Sequence, residues 1–543
     1  MRTIAIKNII CNKWFVLLFN AAFFVLLAWI LPIHFEENDD ATMCMIANGH
    51  YSGTPDGHLV FINAIYGWVI AGLYMIADIV EWYTLSFCVL HVLAMTVIMY
   101  VLMNKLKTLT VLRVAFVLFA YIFWIRIIIA FQFTTTAGLL CFSGCLALME
   151  PCINQNESYR GSHGRIWKIF GLVEIFIASL IRFQAAALVG LLCLPMLIEA
   201  ASRNRRYVLW LAGLLALVLG GKFADGLFYR SPDWAYYREY NSVRGTINDN
   251  PYADLDPKDL PEGVSELDYE LFRNFAGDPN VMTLDRIKII QSKIRADLSV
   301  KRCCINLRQL RLYLFPVLFV GIGLVASSVL AKKRRLYPLL ALIAFFIVLI
   351  YLGAFHDLKY RFFLCMLLPM MYQMLYWFPP FSNENRLDVV SFIFVIVACL
   401  GVCVKYVKQD IGAVNHVNAW NKEIVENYLR PLLKGKENRT LCTMSGWAYT
   451  EYIHPYRLHQ LPVRFMGFGW MTANPLNKGV LCCHLDLVDS NVLCGCYVMD
   501  CPNNLIETSE KLIKAIKKNY DVEADIVVVD SNEKFVLYKF VSK

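Results

Sequence analysis

The chain is 543 residues long, 58% hydrophobic and only 17% charged, with a positive mean hydropathy. Soluble domains run closer to half apolar and a quarter charged, which excludes an ordinary cytosolic enzyme, and an aromatic content of 14% excludes a disordered chain. A polytopic membrane protein remains. In such a protein the net charge of +9, from 52 basic and 43 acidic residues, has to be divided between two sides before it says anything about partners.

In chain order, residues 14–33 form the first apolar run, preceded by Arg2, Lys7 and Lys13. The flank from Leu31 to Glu36 lacks the small-residue pattern of a signal-peptide cleavage site, so the run reads as a retained transmembrane helix with a cytoplasmic N-terminus. Residues 59–77 are apolar enough to cross, but Asp56, Asp78 and Glu81 bracket them. If they crossed, the next helix (85–104) would deliver Lys105 and Lys107 outside. A helix lying at the outer surface instead keeps that pair in the cytoplasm, as the positive-inside rule requires. Spans near 108–127 and 134–150 then form an outward hairpin with its tip at 131–136, and the loop 151–165 carries Arg160 and Arg165 inside. Spans near 167–182 and 185–201 form a second hairpin, turning outside at Arg182-Phe183-Gln184.

A span near 207–224 leads to a long acid-rich outer loop, about 225–305, whose part from Asp249 to Asp285 reads as a solvated lid, a role that long structureless loops often take. Spans near 310–330, 336–355, 362–380 and 389–406 follow, with Lys332-Lys333-Arg334-Arg335 as the strongest inside signal and the turn 356–361 outside. The fold class is therefore an α-helical polytopic membrane protein, with about eleven transmembrane helices and one juxtamembrane helix. Membrane lipids are its surroundings, and nucleic acid is not an expected partner.

The tail, 407–543, changes character: residues 524–529 and 535–541 read as two strands, and 510–520 as a helix with a Lys-rich face. It is expected to be a small extracytoplasmic α/β domain attached to a membrane module at 1–406. Its cysteines (Cys442, Cys482, Cys483, Cys494, Cys496, Cys501) resemble a disulfide set more than a zinc ribbon or a CxxC pair.

The informative chemistry is on the outer face. Glu36-Glu37-Asn38-Asp39-Asp40 places four carboxylates within five residues, and their mutual repulsion should raise some of their pKa values unless a cation compensates. The bland alternative is an acidic loop that solvates a helix end. The ordered context argues for more: the acids are followed by Gly49-His50-Tyr51, Pro55 and the apolar stretch 58–75.

This arrangement resembles the first external loop of the GT-C superfamily, the integral-membrane glycosyltransferases that use polyprenyl-phosphate sugars, in particular its aminoarabinose-transferase and protein-mannosyltransferase branches. The doubled proline and lysine often found before the juxtamembrane helix are replaced here by Gly57-His58-Leu59. The resemblance implies that Asp39 is the catalytic base, taking a proton from an acceptor hydroxyl as it attacks the anomeric carbon. It also implies that Asp40 is a supporting acid that orients the acceptor or, with Asp39, binds a divalent metal ion. The implied donor is a polyprenyl-phosphate-linked sugar, and the implied acceptor a glycan, lipid or protein.

A lipid-phosphate donor needs outward cations. Lys359 and Arg361 on the turn 356–361 are candidates, with Arg182 at a second tip. Snorkelling to the interface is the competing reading, and it is the preferred one for Arg126. His58, Asp56, Tyr229, Arg230 and His356 complete the candidate substrate-binding set. The segment 229–240, rich in aromatics and arginine, suits either sugar stacking or an interfacial aromatic belt, with the belt slightly favoured. There is no Walker A sequence, GxSxG elbow or HExxH helix. A polymerase or ligase of lipid-linked glycans, a transporter of such lipids, and a receptor with a ligand-binding tail are the alternatives.

Overall fold

The computed structural model describes residues 12–31, 33–105, 110–153, 162–250, 253–296, 308, 311, 314–331, 334–355, 358–377, 440–443, 455–456, 464–488, 492–497, 504–531 and 535–543. In chain order the elements are α1 (Lys13–Ile30), β1 (His34–Phe35), α2 (Asn38–Ala47), α3 (Ala64–Ile76), α4 (Trp82–Lys105), α5 (Thr110–Ile129), β2 (Ala130–Phe131), α6 (Phe133–Ile153), α7 (Ser162–Ile181), α8 (Phe183–Arg203) and α9 (Arg206–Phe228). There follow α10 (Pro232–Asn248), β3 (Ala253–Asp254), α11 (Glu266–Arg273), α12 (Leu284–Lys293), β4 (Arg295–Ala296), α13 (Leu314–Leu330), α14 (Leu336–Phe355) and α15 (Tyr360–Trp377). The tail supplies β5 (Thr440–Thr443), β6 (Arg464–Gly467), β7 (Val492–Tyr497), α16 (Asn504–Tyr520), β8 (Ala524–Ser531) and β9 (Phe535–Ser542).

A helix stands over each expected span from 14–33 to 362–380; the expected span 389–406 lies outside the described residues. Among the described residues, α1, α4, α6, α8, α9 and α14 are each long and apolar enough to cross a membrane. The stretch 59–77 forms α3, whose 13 residues are too few for a ~30 Å hydrocarbon core, in keeping with a helix that does not span.

Packing follows residue size and polarity. α6 and α7 cross at Gly144 and Gly171, where a Cβ on either glycine would lie 2.6–2.7 Å from the other's carbonyl oxygen. Asn20 of α1 bonds Thr96 of α4 at 3.2 Å and accepts from Tyr121 of α5 at 2.6 Å, a polar tie between otherwise apolar helices. α6 and α15 are buried along most of their length, whereas α1 and α9 expose apolar flanks such as Trp29, Leu209 and Phe223.

Two expectations change. The tip 131–136 is not an exposed turn: β2 pairs in parallel with β1, and Gln132, Thr134, Thr135 and Thr136 are buried. Gln132 Oε1 accepts from Thr134 N and Thr135 N, which caps the start of α6. The long loop is not structureless either. α10, α11 and α12 close around a core of Tyr240, Val243, Ile247, Phe272, Met282 and Ile287. The signals were local: Pro232 opens α10, and Ser265 and Asp268 form a reciprocal capping box for α11.

The tail folds as a mixed sheet in the order β6-β5-β7-β9-β8, with β8 and β9 antiparallel at the expected positions and α16 beginning earlier than expected. Cys482 and Cys483 form no disulfide, and Cys442 and Cys494 are register partners on β5 and β7. This sheet packs into the same apolar core as the helical bundle. Lys518 Nζ and Asn519 Nδ2 donate to Asp268, and Tyr520 Oη donates to Asp278 at 2.7 Å, fastening α16 to the long loop.

Candidate active site

α2 follows the β1–β2 pairing directly, so the acidic run is held against the start of α6. Asp40 is fully buried. Its Oδ1 accepts from Tyr83 Oη at 2.9 Å and from Phe133 N at 3.1 Å, while Oδ2 has no hydrogen-bond partner among the described residues. Burial pushes its carboxyl well above the ordinary value, with the Tyr83 hydrogen bond opposing and the charge of Asp39 adding. Asp40 is thus a pin joining α2, α4 and α6, with no exposed surface to touch an acceptor.

Asp39, one residue earlier on the first turn of α2, keeps part of its surface accessible while protein encloses most of it. Its pKa is raised to about 6, first by desolvation, then by the charge of Glu37; Arg361 and Arg182 oppose, and Asp249 at the end of α10 adds to the rise. At neutral pH Asp39 is therefore mostly ionised. Repulsion among the four acids was the expected cause of such shifts; burial is the larger one, and it also raises Glu36.

Three arginines from separate segments of the chain face these acids. Arg361, at the start of α15, pairs with Glu37. Arg126, in the last turn of α5, donates to Glu36 Oε1 at 3.3 Å and lies over the Tyr360 ring at 5.4 Å. The snorkelling expected of Arg126 is not what is found: the side chain turns inward to the acids. Arg182, between α7 and α8, sits over the rings of Phe61 and Phe133 at 5.6 and 5.1 Å. Its Nε is buried without a hydrogen-bond partner among the described residues. Burial lowers its pKa to about 10, Asp39 opposing, so it stays charged at neutral pH.

The loop that presents Phe61 is tightly turned. Phe61 N donates to Leu59 O at 2.8 Å across Val60, whose φ is +68°. That is the rarer, strained form of γ-turn, and for a β-branched residue it costs on the order of 1–3 kcal/mol. Val60 N donates to Tyr229 Oη at 3.1 Å, which holds the turn in place.

The other candidates fall elsewhere. His58 has both ring nitrogens engaged, Nδ1 with Asp56 at 2.7 Å and Nε2 with Phe228 O at 3.2 Å, and stacks on Trp234 at 4.3 Å. It fastens the first loop to the end of α9. Tyr229 is buried in the same cluster, Arg230 is exposed, and Lys359 is exposed at the mouth of α15. His356 lies outside the described residues. Tyr229, Trp234, Tyr237 and Tyr240 are buried, so these rings of the segment 229–240 form core and neither a membrane belt nor an open stacking surface.

Beside the arginines, α5, α6 and α15 leave a small apolar crevice with room for about one water molecule. Phe123 and Ile127 line it from α5, Gly138 and Leu139 from α6, and Leu364 and Leu368 from α15. Arg126 and Arg361 stand on two of these helices beside the lining residues, so the cluster of paired arginines and acids adjoins the crevice.

A divalent ion does not fit the acids. Asp40 Oδ1 is occupied, Glu36 and Glu37 are engaged by arginines, and Arg182 and Arg361 bias Asp39 with positive charge. Among the described residues no group of three or more His, Cys, Asp or Glu side chains is arranged to hold a metal.

Missing from the sequence reading were the pairing of Glu36 and Glu37 with arginines, the apolar cleft, and the approach of Trp470 from the tail to 4.8 Å from Phe61. No protein-family model matches the chain, and no curated protein matches it. Two crystal structures of ArnT from Cupriavidus metallidurans are similar to it over 96% of this chain and 97% of that chain. The form bound to undecaprenyl phosphate has 13% identity and a TM-score of 0.40, and the apo form 12% identity and a TM-score of 0.43.

Proposed function

We propose that the protein is a membrane glycosyltransferase that moves a sugar from a polyprenyl-phosphate donor to a hydroxyl of an extracytoplasmic glycan, lipid or protein, with Asp39 as general base. The observation that carries this reading is the convergence of the Asp39 carboxylate, arginines from separate segments of the chain and an apolar crevice. A phosphate with a long apolar chain matches that combination: the phosphate suits the guanidiniums through charge-assisted bonds, and the chain suits the apolar helix surfaces that line the crevice. The resemblance of the first external loop supports the same assignment.

In the reaction, the acceptor oxygen attacks the anomeric carbon as its proton passes to the Asp39 carboxylate. The bond from the anomeric carbon to the phosphate oxygen breaks, and the lipid phosphate leaves with the electron pair. Arg182 and Arg361 stabilise the charge that grows on that phosphate. A base with a pKa of about 6 is ionised at neutral pH and still basic enough to share a proton in the transition state. Asp40 keeps Asp39 in place by anchoring α2.

The accompanying arrangement is a cell-membrane protein with a cytoplasmic N-terminus, a membrane module at 1–406 and an extracytoplasmic tail at 407–543. Cells lacking the protein should lose one sugar from a surface glycan, lipid or protein, as read by mass spectrometry. Wild type restores it, whereas Asp39→Asn lowers transfer by about 10²–10⁴-fold at equal expression. Restoration by Asp39→Asn would overturn the assignment.

A further inference from the structure

We infer that Trp470, supplied by the tail, is the ring on which the donor's sugar stacks; the inference rests on the glycosyl-transfer reading above. A pyranose has one face of C–H groups that packs on an indole or phenyl ring, while its hydroxyl edge takes hydrogen bonds. The aromatic segment that the sequence offered for this task is core: Tyr229, Trp234, Tyr237 and Tyr240 have no open face. Phe61, which lies against Arg182, keeps partial exposure, and so does Trp470, which packs on Phe61. Their centroids are 4.8 Å apart at a tilt of 53°, and the Arg182 guanidinium stands 5.6 Å from the centroid of the same Phe61 ring. A sugar one bond away from a phosphate held at Arg182 lies within reach of this pair.

The placement of Trp470 is over-determined by segments distant in sequence. Tyr237 Oη from α10 donates to Trp470 O at 2.8 Å. Asn477 Nδ2 donates to Met471 O at 3.0 Å, and Asn477 Oδ1 accepts from Tyr51 Oη of the first loop at 2.7 Å. Gly469 takes a φ of +77°, a left-handed backbone that favours glycine, and a Cβ added to it would lie 3.5 Å from Phe275 Cβ. Phe275 and Ala473 adopt positive φ themselves, 61° and 62°, as does Val60 beside Phe61. Non-glycine residues held in that region cluster where surrounding structure fixes a functional geometry. The tail thus completes the wall of the site, and Trp470 is a residue that decides which sugar is accepted.

The test uses the full chain in lipid nanodiscs, titrated with undecaprenyl phosphate and with undecaprenyl phosphates bearing a hexose, a pentose or an aminopentose. Wild type should bind one glycosylated lipid more tightly than undecaprenyl phosphate. Trp470→Ala should weaken that lipid roughly five- to tenfold and leave undecaprenyl phosphate unchanged, with Trp470→Phe retaining most of the affinity. Equal weakening of both lipids, no weakening of either, or a wild type with no preference for any glycosylated lipid overturns the inference. If wild type fails to bind even undecaprenyl phosphate, the donor assignment under the proposed function falls, and the role of Trp470 with it.

Discussion

Replacing Asp39 by asparagine should stabilise the protein while abolishing its chemistry, and the pH dependence of that gain is specific. The carboxyl titrates at about 6 in the folded chain against a reference value of 3.8, which corresponds to a cost on the order of 2–3 kcal/mol for holding the ionised form in place. The sign follows from proton binding. Between the two values the folded state holds more protons than the unfolded state, so stability falls as pH rises through that window. The cost is absent below about pH 4 and complete above about pH 6. Asparagine is nearly isosteric and never ionises, so Asp39→Asn should match wild type near pH 4 and exceed it by 2–3 kcal/mol at pH 8. Thermal inactivation half-lives in one detergent at the two pH values measure the difference as a rate. An advantage equal at both pH values would refute the reasoning, as would a wild type more stable than the variant at pH 8. The gain in stability with loss of transfer is the signature of a group kept for function at a structural cost.

The two groups that most directly bias Asp39 should move the acid limb of the transfer rate in opposite directions. Arg361→Gln removes a charge that lowers the Asp39 pKa and should shift the limb up by about one pH unit. Glu37→Gln removes a charge that raises it and should shift the limb down; kcat against pH at saturating donor reads both, and shifts of the same sign would disprove the electrostatic account. In the cleft, Leu368→Trp should raise the KM for a long-chain polyprenyl donor about tenfold and spare a short-chain analogue. Equal effects on both would place the lipid chain elsewhere.

Much of the fold was legible because it is local. Apolar runs of membrane length report helices by composition alone, which is why helices stand over the expected spans through 362–380. The apolar stretch 59–77 forms the short α3, and the apolar runs of β8 and β9 were legible as the end of the tail. The capping residues Ser265 and Pro232 are equally local, but they sit within an acid-rich stretch whose composition reads as solvated.

By itself, the sequence determined the helical membrane class, the place of the acidic run and the chemical types at hand: carboxylates, arginines and aromatics. The tertiary structure decided which of them meet. It turned Arg126 inward to Glu36, put Arg361 against Glu37, buried Asp40 behind Asp39, and sank Tyr229 and Trp234 into the core. It also brought Trp470 from the tail against Phe61 from the first loop. Periodicity and composition report the burial of a segment's own faces; they carry no record of which distant side chain fills the space opposite. That choice depends on helix crossings such as Gly144 on Gly171 and on turns such as that at Val60, whose geometry is set only when the whole chain packs.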